Sequence, residues 1–160
     1  ITSVTFVLTT RPIFNVSYGG IQQMIDEKEL ELNIRNISES VIHIRQTKLP
    51  DPIKIGNAGS FFKNPIIEKP LHDALSLIYE DLPHYPLDLG SIKIPAAWLI
   101  EQCGWKGKRM DQIGVHERQP LVLVNYGEGK GEEILKLSEQ IQASIQKKFG
   151  IELAREVNVF

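Results

Sequence analysis

The chain has 160 residues, a net charge of -2 and a pI near 6.1, with 42% hydrophobic and 24% charged residues, the profile of an ordinary globular protein with a core of its own. That charge balance leaves no electrostatic footprint for general nucleic-acid or membrane-surface binding; no apolar run approaches the roughly 20 residues of a bilayer span, and no secretory signal is present. The single cysteine, Cys103, has no partner for an internal disulfide, which fits a reducing cytoplasmic location.

In chain order, Thr2 to Thr9 alternates Val4, Phe6 and Leu8 with its other residues and predicts a half-buried strand. Arg11-Pro12 breaks it, and Phe14 to Tyr18 predicts a second short strand ending at Gly19-Gly20. Ile21 to Leu32 is permissive for a helix. Ser38 is the expected N-cap of a helix containing Val41, Ile42, Ile44 and Arg45. Leu49-Pro50-Asp51-Pro52 ends it and is the best boundary in the sequence, because each proline disfavours helix at the residue before it. Beyond lies Gly56 to Pro65, expected to be a small-residue turn leading into an aromatic stretch. Leu71, Ala74, Leu75 and Ile78 have helical spacing within Leu71 to Tyr79, and the prolines make Leu82 to Leu89 a loop. Pro95 suits the first turn of a helix through Gln102 that Gly104 stops. Ile113 to Val115 and Leu121 to Val124 read as strands, the second a buried apolar run. Gly131 to Phe149 is the clearest helix, with Ile134, Leu137, Ile141, Ile145 and Phe149 on one stripe and Gly150 closing it. Leu153 to Phe160 returns as a strand. The mixture predicts an α+β fold. Because the chain opens at Ile1 without methionine, inside one strand-forming segment, and closes inside another, it is expected to be a piece of a longer polypeptide.

The segment Gly56-Asn57-Ala58-Gly59-Ser60 is the most informative. Its glycines let backbone approach a ligand closely, and its serine can point into a cleft. Taken alone, a structural tight turn is the simpler reading. It has neither the Gly-x-Ser-x-Gly spacing of a hydrolase elbow nor the Gly-Lys-Ser/Thr of a phosphate loop.

The longer run Gly56 to Pro65, GNAGSFFKNP, is similar without a gap to the signature of the UDP-N-acetylenolpyruvoylglucosamine reductase (MurB) family. Val16-Ser17-Tyr18-Gly19, Arg45 to Pro52, Pro83-His84-Tyr85-Pro86, Ala97 to Cys103, Val115-His116, Leu121 to Asn125 and Arg155-Glu156-Val157 resemble the same family in order and spacing. The resemblance covers essentially the whole chain and is to the type I branch. It implies the C-terminal half of a flavoenzyme: residues 1–48 as the end of the FAD-binding region, 49–150 as the substrate-binding domain, and 151–160 as a strand returning to the first flavin lobe.

The implied reaction is reduction of UDP-N-acetylglucosamine enolpyruvate to UDP-N-acetylmuramate, for peptidoglycan synthesis, with NADPH as hydride source and FAD as the cofactor. Ser60 resembles the family's proton donor, and Glu156 its catalytic glutamate; without the resemblance, Glu156 reads as an exposed carboxylate at a strand end. Lys48, Asn64, Tyr85, Lys106 and Gln119 resemble its substrate contacts. On residue type alone the lysines read as solvated, Tyr85 as loop packing, and Asn64 and Gln119 as turn and strand-edge hydrogen bonding. The implied partners are the nucleotide-sugar substrate and an N-terminal half of the same protein that holds most of the FAD; no nucleic acid or membrane partner is implied. This polypeptide alone is expected to be inactive. The competing expectation is a non-catalytic nucleotide-sugar-binding module with the same domain.

Other conspicuous residues take plainer readings. His43, His72, His84 and His116 lack metal-ligand spacing, so no metal site is expected. Trp98 and Cys103 are expected in the core, Tyr18 as packing, and Gly127 to Gly131 as a loop before a helix. Asn158 stands where many members of the family carry arginine, which puts in doubt a contact made by that arginine.

Overall fold

The computed structural model describes residues 2–159 (for Leu89, the backbone alone). The chain divides into two compact units, Ile1–Leu49 and Pro50–Phe160.

The first unit contains helices α1 (Ile21–Glu27) and α2 (Ile34–Lys48), which pack on each other. The strands expected at Thr2 to Thr9 and Phe14 to Tyr18 are not formed. Val4, Phe6 and Leu8 are 64%, 76% and 86% exposed; an alternating stretch gains nothing from extension without a ladder partner and a face to bury. α1 is shorter than the stretch permissive for it. α2 begins ahead of the expected cap: the Asn33 carboxamide oxygen accepts from the Asn36 N–H at 2.9 Å, a role asparagine fills as well as serine, so Ser38 lies inside the helix. Leu49, before Pro50, turns to extended backbone at φ -107° and ψ 144° and ends α2 as expected.

The second unit is α+β, as the sequence predicts. Its elements are β1 (Gly56–Ser60), β2 (Ile66–Glu68), α3 (Lys69–Ser76), β3 (Tyr85–Pro86), β4 (Ser91–Lys93), α4 (Ala96–Gln102), β5 (Arg109–Met110), β6 (Ile113–Val115), β7 (Val122–Asn125) and α5 (Gly131–Phe149). One antiparallel sheet has the order β1-β7-β6-β5, and a smaller antiparallel one the order β2-β4-β3. Two expectations shift here. The Gly56 to Ser60 turn is itself a strand, and the loop from Leu82 to Leu89 contains the two-residue β3, placed on a sheet edge where Pro86 needs to donate no ladder bond.

α5 is the backbone of the unit. Its stripe buries Leu137, Ile141, Ile145 and Phe149 against β6, β7 and α4. Glu132 and Glu133 in its first turn and Lys147 and Lys148 in its last complement the helix dipole. The Glu133 carboxylate accepts from the Lys130 N–H at 2.7 Å, and Gly150, at φ 69°, terminates the helix. Trp105 Nε1–H donates to Ser144 Oγ at 2.7 Å, tying the loop after α4 to α5. Trp98 and Cys103 are half-buried against this core.

The strand expected over Leu153 to Phe160 is reduced to one bridge, Phe62 with Arg155. Ile151 and Leu153 are buried in the core of the second unit, and the chain bends at Glu156 and Val157, so no longer ladder forms. Phe160, the end of that expected strand, and Ile1 lie outside the described residues.

Candidate functional site

The site grows from an irregularity in β1. Asn57 pairs with Val124 and Ser60 with Val122, so β1 carries one residue more than β7 between those positions: a β-bulge. Asn57 stabilises it locally, accepting from the Gly59 N–H at 3.1 Å and donating to the Ile55 carbonyl at 2.9 Å. Gly59 takes φ +74°, open to glycine at no steric cost. Past the bulge the ladder resumes, with the Phe61 N–H donating to the Leu121 carbonyl at 2.8 Å. Phe61 and Phe62 are buried, with ring centroids 5.3 Å apart in an edge-to-face contact. Ser60 is therefore exposed on backbone held by the bulge on one side and by two core aromatics on the other.

The other edge of this aromatic segment pairs with the last residues of the chain. The Lys63 N–H donates to the Ala154 carbonyl and the Glu156 N–H to the Phe61 carbonyl, both at 2.9 Å, on either side of the Phe62–Arg155 bridge. Glu156, exposed, thus adjoins the residue that follows Ser60. An apolar groove of about 640 Å³ lies alongside. Ala58, Phe61, Ile134, Leu135, Val157 and Asn158 line it, with the first turn of α5 at its rim. Ser60 and Glu156 are chain neighbours of its walls rather than part of them.

Gln119 is brought to the same end of the larger sheet. It sits in the turn between β6 and β7, where its carbonyl accepts from the Val122 N–H at 3.0 Å, and Val122 is the partner of Ser60. His116 builds this turn: its Nδ1 accepts from the Arg118 and Gln119 N–H groups at 3.3 and 3.2 Å. The residue is only 5% exposed. Burial, followed by the nearby Arg118 charge, holds its pKa below the usual histidine value.

Asn64 follows the aromatic segment and spends its carboxamide oxygen on the Ala96 N–H at 2.9 Å, which caps α4 from outside. Tyr85 is 60% exposed, opposite Lys93 on the smaller sheet. Lys106 pairs with Glu101 at 2.6 Å beyond α4. Among the described residues no hydrogen bond links the side chains of Tyr85, Lys106 or Gln119 to Ser60 or Glu156. Lys48 belongs to the first unit, where its ammonium reaches the Gly19 carbonyl at 3.5 Å.

Three contributors escape a reading by residue type. Asn57 has a sequence signal, the Asn-x-Gly spacing of a side chain that closes its own turn. His116 and Arg155 lie in segments that resemble the family, but no local pattern names the partners they bond. The Arg155 guanidinium donates from Nε to Ser138 Oγ at 3.0 Å and approaches Glu139 at 3.4 Å.

A family model described as UDP-N-acetylenolpyruvoylglucosamine reductase, C-terminal domain, matches residues 51–160. Relatives with the name UDP-N-acetylenolpyruvoylglucosamine reductase align with nearly all of the chain. The protein from Amoebophilus asiaticus is 50% identical over 160 residues, 99% of this chain and 47% of its own length. That from Porphyromonas gingivalis is 45% identical over 154 residues, 96% of this chain and 46% of its own. That from Pseudomonas putida is 44% identical over 158 residues, 98% and 47% respectively. The chain spans about half the length of the curated relatives it matches.

Proposed function

Because the chain belongs to the UDP-N-acetylenolpyruvoylglucosamine reductase family, we propose that it forms the substrate-binding and proton-donating part of an NADPH-dependent flavoenzyme that converts UDP-N-acetylglucosamine enolpyruvate to UDP-N-acetylmuramate for peptidoglycan synthesis. The observation that supports this reading is the pairing of Phe61 to Lys63 with Ala154 to Glu156, which sets Glu156 against Phe61, the residue that follows Ser60. The reductase names of the relatives favour this reading over a non-catalytic sugar-nucleotide module.

FAD, when bound, supplies the hydride that NADPH provides. The groove alongside has apolar walls, Ala58, Phe61 and Val157 among them, with Lys130, Glu132 and Asn158 also lining it, a mixture that suits the apolar and polar edges of a flavin ring. A Cβ built on Gly59 meets nothing within 4 Å, so the backbone there is open to close approach. In the proposal most other FAD contacts come from an N-terminal half of the same protein. Residues 1–48 complete that flavin-binding region, 49–150 bind substrate, and 151–160 lead back toward the first lobe.

Ser60 then delivers a proton to the carbon beside the substrate carboxylate. An alcohol is a poor acid, but a carbon bearing carbanion character is a strong base, and fixed placement contributes more than acidity. Glu156 works at the same enolpyruvyl group, where a carboxyl helps only in its neutral or hydrogen-bonded form. Lys106 serves the diphosphate as a compact positive charge, and Lys48, in the first unit, is a substrate contact by the family resemblance alone. Tyr85 offers a ring face and a hydroxyl to the nucleotide sugar. Gln119 contributes its carboxamide, and Asn64 the NH₂ that α4 leaves available.

The test is Ser60→Ala in the full-length enzyme, with the two half-reactions followed separately by flavin absorbance. NADPH should bleach the flavin at the wild-type rate, while reoxidation by the enolpyruvyl nucleotide should slow by about 10²-fold or more. Unaltered reoxidation removes Ser60 from the mechanism.

A further inference from the structure

We propose that Arg155 is the positioning residue that holds Glu156 beside Ser60, an inference that rests on the roles proposed above for those two residues. The segment bearing Glu156 has little regular structure to orient it: one bridge, two flanking backbone hydrogen bonds, and a bend at Glu156 itself. Arg155 is fixed at both of its ends. Its backbone bridges to Phe62, 1% exposed, in the aromatic segment that follows directly from Ser60. Its guanidinium reaches the other way, to the middle of α5, where Nε–H donates to Ser138 Oγ at 3.0 Å and Nη2 lies 3.4 Å from the Glu139 carboxylate.

The acceptor is itself oriented. Ser138 is fully buried, and its hydroxyl proton is committed to the Leu135 carbonyl at 2.6 Å, which leaves a lone pair for the guanidinium. α5 packs on β6, β7 and α4 through buried Leu137, Ile141, Ile145 and Phe149, so Arg155 ties the Glu156 segment to the core. The two contacts arrive on different nitrogens of one planar fork, a geometry that a lysine ammonium cannot reproduce.

The arrangement favours geometry over global stability. Glu139 is more than half exposed, and an ion pair of that kind contributes little to folding. Loss of the guanidinium leaves the Ser138 hydroxyl proton still satisfied by Leu135. What is lost is the anchor of the residue immediately before Glu156.

The experiment compares Arg155→Met, Arg155→Lys, Ser138→Ala and Glu156→Gln in the full-length enzyme. Stopped-flow absorbance gives each half-reaction, and flavin content and melting temperature are measured alongside. Arg155→Met should slow reoxidation by the enolpyruvyl nucleotide about 10- to 100-fold, the scale of a displacement near 1 Å, with flavin content and reduction by NADPH unaltered. Arg155→Lys should recover part of the loss. Ser138→Ala should show the same one-sided defect in weaker form, as a milder variant should Arg155→Met fold poorly. Reoxidation unaffected in Arg155→Met overturns the proposal, as does an equal fall in both half-reactions together with flavin content, which marks a merely structural residue. Glu156→Gln separates the two levels: a slow Glu156→Gln beside a normal Arg155→Met removes only the positioning role, whereas a normal Glu156→Gln removes the role of Glu156 and this proposal with it.

Discussion

At the scale of single residues, the site depends on side chains that satisfy backbone rather than ligand. His116 is the clearest. Two N–H groups point at its Nδ1, so the ring proton sits on Nε2, and protonating Nδ1 breaks both bonds that shape the Gln119 turn. Burial and Arg118 lower its folded pKa, so the unfolded chain takes up the proton first as pH falls. The stabilisation from neutral His116 is complete above the unfolded value, about 6.5. It is lost progressively as pH falls through that value toward the lower folded one. The imidazole signals of His116 should titrate with a midpoint below 6.5, and the Arg118 and Gln119 amides should shift with the same midpoint; titration above 6.5 removes this account.

At the scale of elements, the bulge in β1 is the device that presents Ser60. A one-residue register change moves side chains to the other face of a strand, so the extra residue between Asn57 and Ser60 decides which way the serine faces. Gly59→Ala is predicted to destabilise the protein by about 1 kcal/mol from left-handed strain alone, because its Cβ would meet nothing within 4 Å. Urea denaturation measures this cost, and Gly59→Asn should be milder, since asparagine tolerates that conformation better. A neutral Gly59→Ala would mean that the strand relaxes without the bulge. α5 and the aromatic pair Phe61-Phe62 hold the rest of this region through burial.

At the scale of the molecule, the large buried side chains of the second unit make a continuous core, whereas the first unit leaves Val4, Phe6, Val7, Leu8 and Ile13 largely exposed. Among the described residues no helix is long and apolar enough to cross a membrane. The matched relatives are about twice as long as this chain, and the proposal assigns most of the FAD contacts to sequence outside these 160 residues. A polypeptide of these residues alone should therefore purify without stoichiometric flavin and fail to oxidise NADPH. An absorbance spectrum checks this, and a full flavin band would show that these 160 residues hold the cofactor unaided.

Much of the second unit was legible from local patterns. The apolar stripe of α5, the buried run of β7, the start of α4 after Pro95 and the break at Leu49-Pro50 are all properties of short windows, where periodicity and proline sterics act directly. The resemblance carried by Gly56 to Pro65 likewise identified the family that the matched relatives bear out. Position in space was not legible. Alternation in Thr2 to Thr9 suggested a strand, but a strand forms only with a partner, and Gly56 to Ser60 looked like a turn until β7 supplied one. That Glu156 lies against Phe61, that Arg155 reaches Ser138, and what orders the Gln119 turn are decided by contacts between distant residues or by turn geometry, through hydrogen bonds that no local pattern encodes.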